Sequence, residues 1–218
     1  MYITVNGVNL YYETVGHGRP LVMVHGNGED RSIFYEAARI LKDRFCCYLI
    51  DSRDHGLSTK VSTLNYVDMA EDIAQLIIKL GLESPVFYGF SDGGIIGLLI
   101  ASRYPDLLGR MIISGANLDP DGVKSRIKYR LKLMLLFRND PKIRMMMEQP
   151  HITEKDLRKI RIPVLVLAGS RDLIRESHTR RIARGIENAR LRILMGEDHG
   201  SYIVHKTRIA HLIIGFCE

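Results

Sequence analysis

PVFYGFSDGGIIGLLIASRYP, residues 85–105, places a serine between an apolar run and a helical segment. PVFYGF (85–90) is short and apolar, as a buried strand is, and DGGIIGLLIASRYP (92–105) is typical of a helix that ends near its proline. Ser91 lies between them in the frame G-x-S-x-G, which Gly89 and Gly93 complete. The frame alone is weak, because glycine and serine are common residues. A sharp strand-to-helix turn is nevertheless the setting in which a nucleophilic serine is exposed.

The alternation of strand, turn and helix extends along most of the chain. Apolar strands are predicted at residues 20–25, 45–50, 85–90, 109–116, 163–169 and 190–196, and helices at 30–43, 65–81, 92–105, 176–186 and 202–216. Because these strands are apolar without alternation and helices separate them, they indicate an α/β fold with a mostly parallel sheet covered on both faces. YITV and VNLYYETV, joined by Asn6-Gly7, predict an antiparallel hairpin at the edge, which completes eight strands.

Residues 117–161 interrupt this alternation. They separate two predicted strands by about 45 residues, far more than an ordinary connection, and are helical in composition, basic and rich in methionine. We predict a small helical cap at 117–161 on a core formed by 1–116 and 162–218. Met145, Met146 and Met147 are candidates for a substrate pocket, because methionine adapts to irregular apolar ligands. Alternatively, they pack the cap onto the core.

The composition favours one folded domain. The 218 residues are 26% charged and 46% hydrophobic, an ordinary globular mixture. The N-terminal segment lacks the features of a signal peptide, and the longest apolar runs are too short to span a bilayer. Cys46, Cys47 and Cys217 form no C-x-x-C pair, so we expect buried thiols in a reducing cytoplasm rather than disulfides or a zinc site.

The net charge of +6 is concentrated in one stretch. From Lys124 to Arg144 there are eight lysines or arginines and one acid, Asp140. A solvated face is the simplest interpretation, and attraction of anionic substrates, nucleic acid or a lipid surface is the alternative. RIKYRLKLMLLF (126–137) is basic and amphipathic, as interfacial helices are, but we expect its leucines and methionine to pack onto the core. We therefore expect no nucleic-acid partner and no membrane association. No pattern specifies an oligomeric state.

Two further polar residues follow predicted strands. Asp172 comes just after strand 163–169, in GSRDLI, and His199 just after strand 190–196, in GEDHGSY. In open α/β sheets, ligands bind at the carboxyl ends of the strands, where Ser91 also lies. The order Ser, Asp, His suits a nucleophile, an orienting acid and a base. Asp119, after strand 109–116, is an alternative acid for the histidine.

Several ordered motifs resemble those of the α/β-hydrolase superfamily over nearly the whole chain. They are HGNG (25–28), DSRDHGLS (51–58), GFSDGG (89–94), GSRD (169–172) and DHG (198–200). The resemblance implies the α/β-hydrolase fold in a compact form with a reduced cap. One departure is Asp54, where many relatives carry glycine before His-Gly, and we expect it to alter only a loop.

The resemblance also implies a mechanism, that of a serine hydrolase acting on a small carboxylic ester or related acyl compound. Ser91 attacks the acyl carbon, His199 takes and later returns the proton, and Asp172 orients the imidazole. The backbone N–H groups of Asn27 and Asp92 form the oxyanion hole. This chemistry requires neither a metal nor an organic cofactor, and its only necessary partner is a small acyl substrate.

Other histidines and acids lie in the family loops. Asp51, Asp54 and His55 suggest a metal site, but a turn held together by Asp and Ser side chains is the simpler interpretation. His25 and His55 are expected to be structural.

Two alternative functions remain open. Relatives with the same triad hydrolyse ring-cleavage diketones across a carbon–carbon bond or act as lyases, and the basic cap would then hold a carboxylated substrate. Other similar proteins are ligand receptors with little turnover. Haloalkane dehalogenase chemistry is disfavoured, because it requires aspartate at the position of Ser91.

Overall fold

The computed structural model describes all residues from 1 to 218 and contains one eight-stranded sheet. The strands are β1 (Tyr2–Val5), β2 (Val8–Val15), β3 (Arg19–Val24), β4 (Phe45–Ile50), β5 (Val86–Phe90), β6 (Arg110–Ser114), β7 (Val164–Gly169) and β8 (Ala189–Leu194). Their order is β1-β2-β4-β3-β5-β6-β7-β8. The pairs from β4 to β8 are parallel, whereas β2 is antiparallel to both β1 and β4. The predicted fold class is confirmed.

Eight helices accompany the sheet. They are α1 (Tyr35–Leu41), α2 (Tyr66–Lys79), α3 (Asp92–Arg103), α4 (Ser125–Phe137), α5 (Pro141–Glu148), α6 (Glu154–Leu157), α7 (Glu176–Gly185) and α8 (Arg208–Cys217), with 3₁₀ turns at Arg31–Phe34 and Pro120–Gly122. The last helix was expected from residue 202 but begins at Arg208. His205, with a φ of 52°, lies in the left-handed region, which a right-handed helix cannot include.

Helices cover both faces of the sheet because its strands are apolar on both sides. Along β3, Val22 and Val24 pack in a cluster with α2 and α3, whereas Leu21 and Met23 pack in a second cluster with α1 and α8. At the edge, Asn6 and Gly7 have φ values of 46° and 77°, which a two-residue hairpin of type I′ requires. The carboxyl ends of the parallel strands β3 to β8 therefore lie along one edge of the sheet.

The connection 117–161, called the insertion below, holds three helices. Leu157 of α6 is buried in the cluster that includes α3, so α6 packs on the sheet domain. In contrast to expectation, α4 has no buried residue, and its leucines and methionine do not join the core. The division of the chain into core and cap stays a prediction.

None of the three cysteines is in a disulfide, and Cys47 is fully buried, whereas Cys46 and Cys217 are half-buried. None of the helices combines the length and the apolar character needed to cross a bilayer. A cytoplasmic location stays a prediction.

Candidate active site

Ser91 occupies a strained turn between β5 and α3. Its φ of 54° and ψ of −112° lie outside the regions that L-residues ordinarily adopt. A β-carbon on Gly89 would lie 2.2 Å from the Gly93 carbonyl oxygen, and one on Gly93 would lie 2.1 Å from that of Val24. The two glycines of G-x-S-x-G therefore let three backbone segments approach closely. The turn leaves Ser91 half-buried at the carboxyl edge of the sheet.

A chain of hydrogen bonds connects Ser91, His199 and Asp172. His199 Nε2 lies 3.0 Å from Ser91 Oγ, and His199 Nδ1 lies 2.7 Å from Asp172 Oδ1. Asp172 is buried and also accepts a hydrogen bond of 2.9 Å from the Ile174 N–H. A carboxylate at Nδ1 favours the tautomer that carries its proton there, which leaves Nε2 able to accept a proton from the serine hydroxyl. Three loops that are distant in sequence thus meet at one edge.

The two neighbouring acids point elsewhere. Asp119 caps the turn at Pro120–Gly122 by accepting from the Asp121 N–H at 2.9 Å, and its carboxylate faces His178 and Arg181. Asp198 accepts the N–H groups of its own turn, those of Gly200 and Ser201. Of Asp119, Asp172 and Asp198, only Asp172 contacts the imidazole of His199.

Two backbone N–H groups beside Ser91 donate no hydrogen bond within the protein, those of Asn27 and Asp92. Both residues line cavities that include Ser91. Asp92 is also the first residue of α3, where the aligned peptide dipoles place partial positive charge. The two amides are therefore free to bind a ligand oxygen.

The side chain of Asp92 is buried in a small polar network. It accepts hydrogen bonds from the Tyr66 hydroxyl at 2.7 Å and from Asn27 Nδ2 at 2.9 Å. Burial raises the pKa of the Asp92 carboxyl above its ordinary value, while the two donors favour its charged form. The same burial raises the pKa of the Tyr66 hydroxyl, which keeps it a donor. Nothing in the sequence indicated that Tyr66 belongs to the site.

Ser91 and His199 open into a cleft of about 390 Å³ beneath α4. Its apolar lining residues are Phe90, Ile127, Leu131, Met134, Ile143, Met146 and Leu173. On the other side of Ser91 lies a slot of only about 10 Å³ beside Tyr66, Val123 and Ile174, the space of roughly one water molecule. A larger cavity, of about 720 Å³, lies between α2, α3 and the end of α5 and does not include Ser91.

The three candidate methionines separate in the structure. Met146 lines the cleft, whereas Met145 is buried in the core and Met147 lines neither cavity at Ser91. Consecutive residues of a helix point about 100° apart, so three in a row cannot share one face. Of the predicted pocket residues, only Met146 is positioned to contact a ligand at Ser91.

Glu29 also lines the cleft, although no motif or periodicity in the sequence predicts it there. Its Oε2 accepts a hydrogen bond of 3.0 Å from the Gly26 N–H, and the side chain lies beside Ser91 and His199. Burial raises the pKa of its carboxyl to about 6. A carboxylate folding back on its own loop has no sequence signature beyond its place in HGNGED (25–30).

The loops of the other family motifs hold the framework together. Asp51 accepts hydrogen bonds from the Arg31 backbone, the Arg31 guanidinium and the Leu57 N–H. His25 is buried, with Nε2 accepting from the Ser52 N–H at 3.1 Å, and burial lowers its pKa to about 3. The neutral ring of His25 therefore connects the loops after β3 and β4, as a structural histidine does.

The basic stretch does not face the cleft. Of its eight cationic residues, only Lys142 lines the cleft, and its ammonium group is paired with Asp54. Asp54 has a φ of 65°, which explains why glycine suits this position, and its carboxylate ties the loop to α5. The expected change in the loop is thus a link between that loop and the insertion.

Comparisons with known proteins give one family. A sequence model of the family described as alpha/beta hydrolase fold matches residues 19–142. The AB hydrolase superfamily protein YisY of Bacillus subtilis (strain 168) is 26% identical over 259 aligned residues, which cover 98% of this chain and 97% of that protein. Further curated relatives match 45% to 53% of this chain and only 32% to 42% of their own lengths.

Solved structures share the fold over their full length. An enol-lactonase from Burkholderia xenovorans LB400 is 20% identical with a TM-score of 0.82, and 100% of this chain and 99% of that chain are covered. A meta-cleavage product hydrolase from Pseudomonas fluorescens IP01 is 18% identical with a TM-score of 0.81, covering 100% of this chain and 97% of that one. At these identities the likeness concerns the fold alone.

Proposed function

The chain belongs to the α/β hydrolase fold family of hydrolytic enzymes, and we propose that it is a serine hydrolase that cleaves a small carboxylic ester or lactone. The observation that carries the proposal is the chain of hydrogen bonds from Ser91 through His199 to Asp172. An isolated serine hydroxyl is a poor nucleophile, and a histidine base within hydrogen-bond reach is what activates it.

The proposed mechanism has two steps. Ser91 Oγ attacks the carbonyl carbon while its proton passes to His199 Nε2, and the leaving alkoxide then takes that proton as the C–O bond breaks. Water next attacks the acyl-enzyme, His199 accepts its proton and returns it to Ser91, and the carboxylic acid leaves. Asp172 stabilises the imidazolium that forms in both steps.

The developing oxyanion is bound by the free N–H groups of Asn27 and Asp92 in this proposal. Such preorganised donors contribute about 2.7–4 kcal/mol each to transition-state stabilisation in comparable sites. The N-terminus of α3 adds partial positive charge at the same point.

The shape and charge of the cavities favour a particular ester. The cleft is apolar, so it suits a hydrocarbon group, and the slot on the other side of Ser91 leaves room only for a very small one. Lys142 is paired, and Glu29 contributes negative charge at neutral pH because its pKa is about 6. A neutral substrate with one small and one apolar group therefore fits better than an anionic one.

Carbon–carbon bond cleavage of a carboxylated substrate is less well supported. That alternative needs cations near Ser91, yet the basic residues of the insertion lie outside the cleft or are paired. The carboxylate of such a substrate would also be repelled by the negative charge of Glu29, which lines the same cleft. The meta-cleavage product hydrolase and the enol-lactonase both share the fold of this chain. Similarity of fold therefore does not distinguish carbon–carbon bond cleavage from ester hydrolysis.

Fluorophosphonate labelling with intact mass and peptide mapping tests the proposal on wild type and on Ser91→Ala. We expect a single adduct on Ser91 that is absent from the variant. Hydrolysis of p-nitrophenyl butyrate should then exceed that of its anionic analogue p-nitrophenyl hemisuccinate by tenfold or more in kcat/KM. A folded wild type that takes no adduct contradicts the proposal and favours the receptor function. A preference for hemisuccinate contradicts the proposed neutral substrate, and cleavage of a dicarboxylate diketone without hydrolysis of simple esters favours the carbon–carbon alternative.

A further inference from the structure

We propose that the outward face of α4 docks on an anionic lipid surface, so that the natural ester is a membrane-partitioned one. This inference rests on the proposed function for its substrate, whereas the docking itself is independent of catalysis. Helix α4 lies over the Ser91 cleft and has no buried residue. It carries five of the chain's twelve exposed large hydrophobic side chains, namely Tyr129, Leu133, Met134, Leu136 and Phe137.

The two faces of α4 have different roles. Ile127, Leu131 and Met134, spaced by four and three residues, line the cleft. Tyr129, Leu133 and Leu136 have the same spacing two residues later and so form a ridge on the opposite side. We call these three residues the outer ridge. Tyr129 is 65% and Leu136 is 72% exposed, which is unusual for apolar residues in a contiguous row.

Cations flank the outer ridge on both sides. Arg126 and Arg130 lie on one flank and Lys128 and Lys132 on the other, by helical spacing. Lys128 is paired with Asp121, whereas Arg126, Arg130 and Lys132 form no ion pair within the protein. Phe137, 85% exposed, extends from the end of the helix. An apolar ridge between free cations is the arrangement that anionic lipid headgroups and the acyl region beneath them complement.

The position of α4 places the proposed lipid-binding face next to the cleft at Ser91. Since the inner face of α4 borders Ser91 and its outer face would lie in the headgroup layer, a lipid ester would have a short path into the apolar cleft. A soluble acidic protein would match the cations but not the apolar ridge, and a second copy of this basic chain would match the ridge but not the cations. The combination of both features favours the lipid surface.

Vesicle co-sedimentation tests the docking with 100-nm vesicles of phosphatidylcholine containing about a third phosphatidylglycerol, and with phosphatidylcholine alone. Wild type and Ser91→Ala should bind the anionic vesicles at low salt and release them at high salt. Arg126→Gln/Arg130→Gln/Lys132→Gln should lower the partition coefficient about a hundredfold, because each cation near an anionic surface contributes roughly a factor of five. A matched variant, Arg161→Gln/Arg184→Gln/Arg190→Gln, removes the same charge elsewhere and should bind nearly as wild type does.

The apolar part is tested by Leu133→Ser/Leu136→Ser, with Ile78→Ser/Met195→Ser as the control at exposed positions elsewhere. The ridge variant should lose vesicle binding and hydrolysis of a small apolar ester that partitions into anionic vesicles, and should keep hydrolysis of a water-soluble ester. The proposal is overturned by wild type that stays in the supernatant at low salt, by vesicle binding unchanged in the α4 variants, or by a wild-type dimer that the ridge variant dissociates. Binding to polyglutamate but not to vesicles likewise overturns it, in favour of an acidic protein.

Discussion

The side-chain amide of Asn27 donates a hydrogen bond of 2.9 Å to Oδ2 of Asp92, across 65 residues of sequence. The bond joins the loop after β3 to the first residue of α3, and the free backbone N–H groups of these same two residues are the proposed oxyanion donors. The buried carboxylate of Asp92 therefore holds two donors at a fixed separation. Its other oxygen is held by the Tyr66 hydroxyl at 2.7 Å.

Asn27→Ala keeps the backbone N–H but removes this link. We expect kcat to fall about tenfold. This is less than the loss of a whole oxyanion donor would cost, because the backbone N–H of residue 27 is displaced and not removed. Stability should fall by about 1.5–3 kcal/mol, since a hydrogen bond to a buried charged group is lost. Turnover and thermal unfolding of Asn27→Ala are compared with those of Asn9→Ala, an exposed residue at the sheet edge. Equal turnover in the two variants would show that the link has no part in catalysis.

The identity of the acid is tested by two aspartate substitutions. Asp172→Asn should lower kcat roughly 10³- to 10⁴-fold, because the amide favours the wrong imidazole tautomer. Asp119→Ala should leave kcat near that of wild type and cost about 1 kcal/mol of stability through the lost cap of the Pro120–Gly122 turn. Steady-state kinetics on a soluble ester measure kcat for both variants. The reverse order of effects would assign the acid to Asp119.

The sequence predicted the edge of the sheet better than the contents of the cleft. Ser91, Asp172 and His199 each follow a strand that short-range apolar pattern identifies, and parallel strands bring such positions together whatever the details of packing. The same logic placed the Asn6-Gly7 hairpin, because a two-residue turn is a local property.

Residues whose role depends on distant partners could not be predicted. The Glu29 carboxylate folds back on the Gly26 N–H, and Lys142 pairs with Asp54 across 88 residues of sequence. Neither contact follows from periodicity or from a motif. The exposure of α4 was missed for a related reason. An amphipathic pattern shows that a helix has an apolar face, but not whether that face meets the core, a cleft or the surroundings.

Gly115 makes room for the imidazole of His199. A β-carbon on Gly115 would lie 2.6 Å from His199 Cε1 and 2.8 Å from Nδ1, and its φ of 65° is in the left-handed region. Gly115→Ala should therefore displace the ring and lower kcat about a hundredfold, while strain costs about 1–2 kcal/mol. Gly215→Ala, with nothing within 4 Å, is the matched control and should raise stability by up to about 1 kcal/mol with kcat unchanged. Kinetics and thermal unfolding of both variants decide the point, and full activity in Gly115→Ala would contradict this placement of His199.

The ion pair between Asp54 and Lys142 should stabilise the contact of α5 with the sheet domain. Lys142→Met leaves a nearly buried carboxylate with a single hydrogen bond, from the Val61 N–H, and we expect a loss of about 1–3 kcal/mol. Adding Asp54→Gly should recover most of that loss, because the lone charge is removed and glycine accepts the positive φ. Urea unfolding of the two single variants and the double variant measures the coupling. As a control, Lys128→Met breaks the exposed ion pair with Asp121 and should cost under about 0.5 kcal/mol. A loss equally small in Lys142→Met would show that the pair with Asp54 does not stabilise the fold.

Glu29 should make stability depend on pH in the direction opposite to that of a salt-bridged acid. Burial raises the pKa of its carboxyl from 4.5 to about 6, so the folded state holds the proton more tightly than the unfolded chain does. Unfolding free energy therefore falls as pH rises from 4.5 to about 6, and is then level. The full shift corresponds to at most about 2 kcal/mol, and solvent in the open cleft reduces it.

Glu29→Gln removes the titration and keeps a hydrogen-bond acceptor for the Gly26 N–H. The variant should match wild type below pH 4.5 and exceed it by about 1–2 kcal/mol at pH 8, since only wild type then carries a desolvated charge. Urea unfolding across this range measures the difference, with Glu36→Gln on the exposed side of α1 as the control. Curves for wild type and Glu29→Gln that stay parallel from pH 4 to pH 8 would show that the carboxylate is solvated and its pKa is not raised.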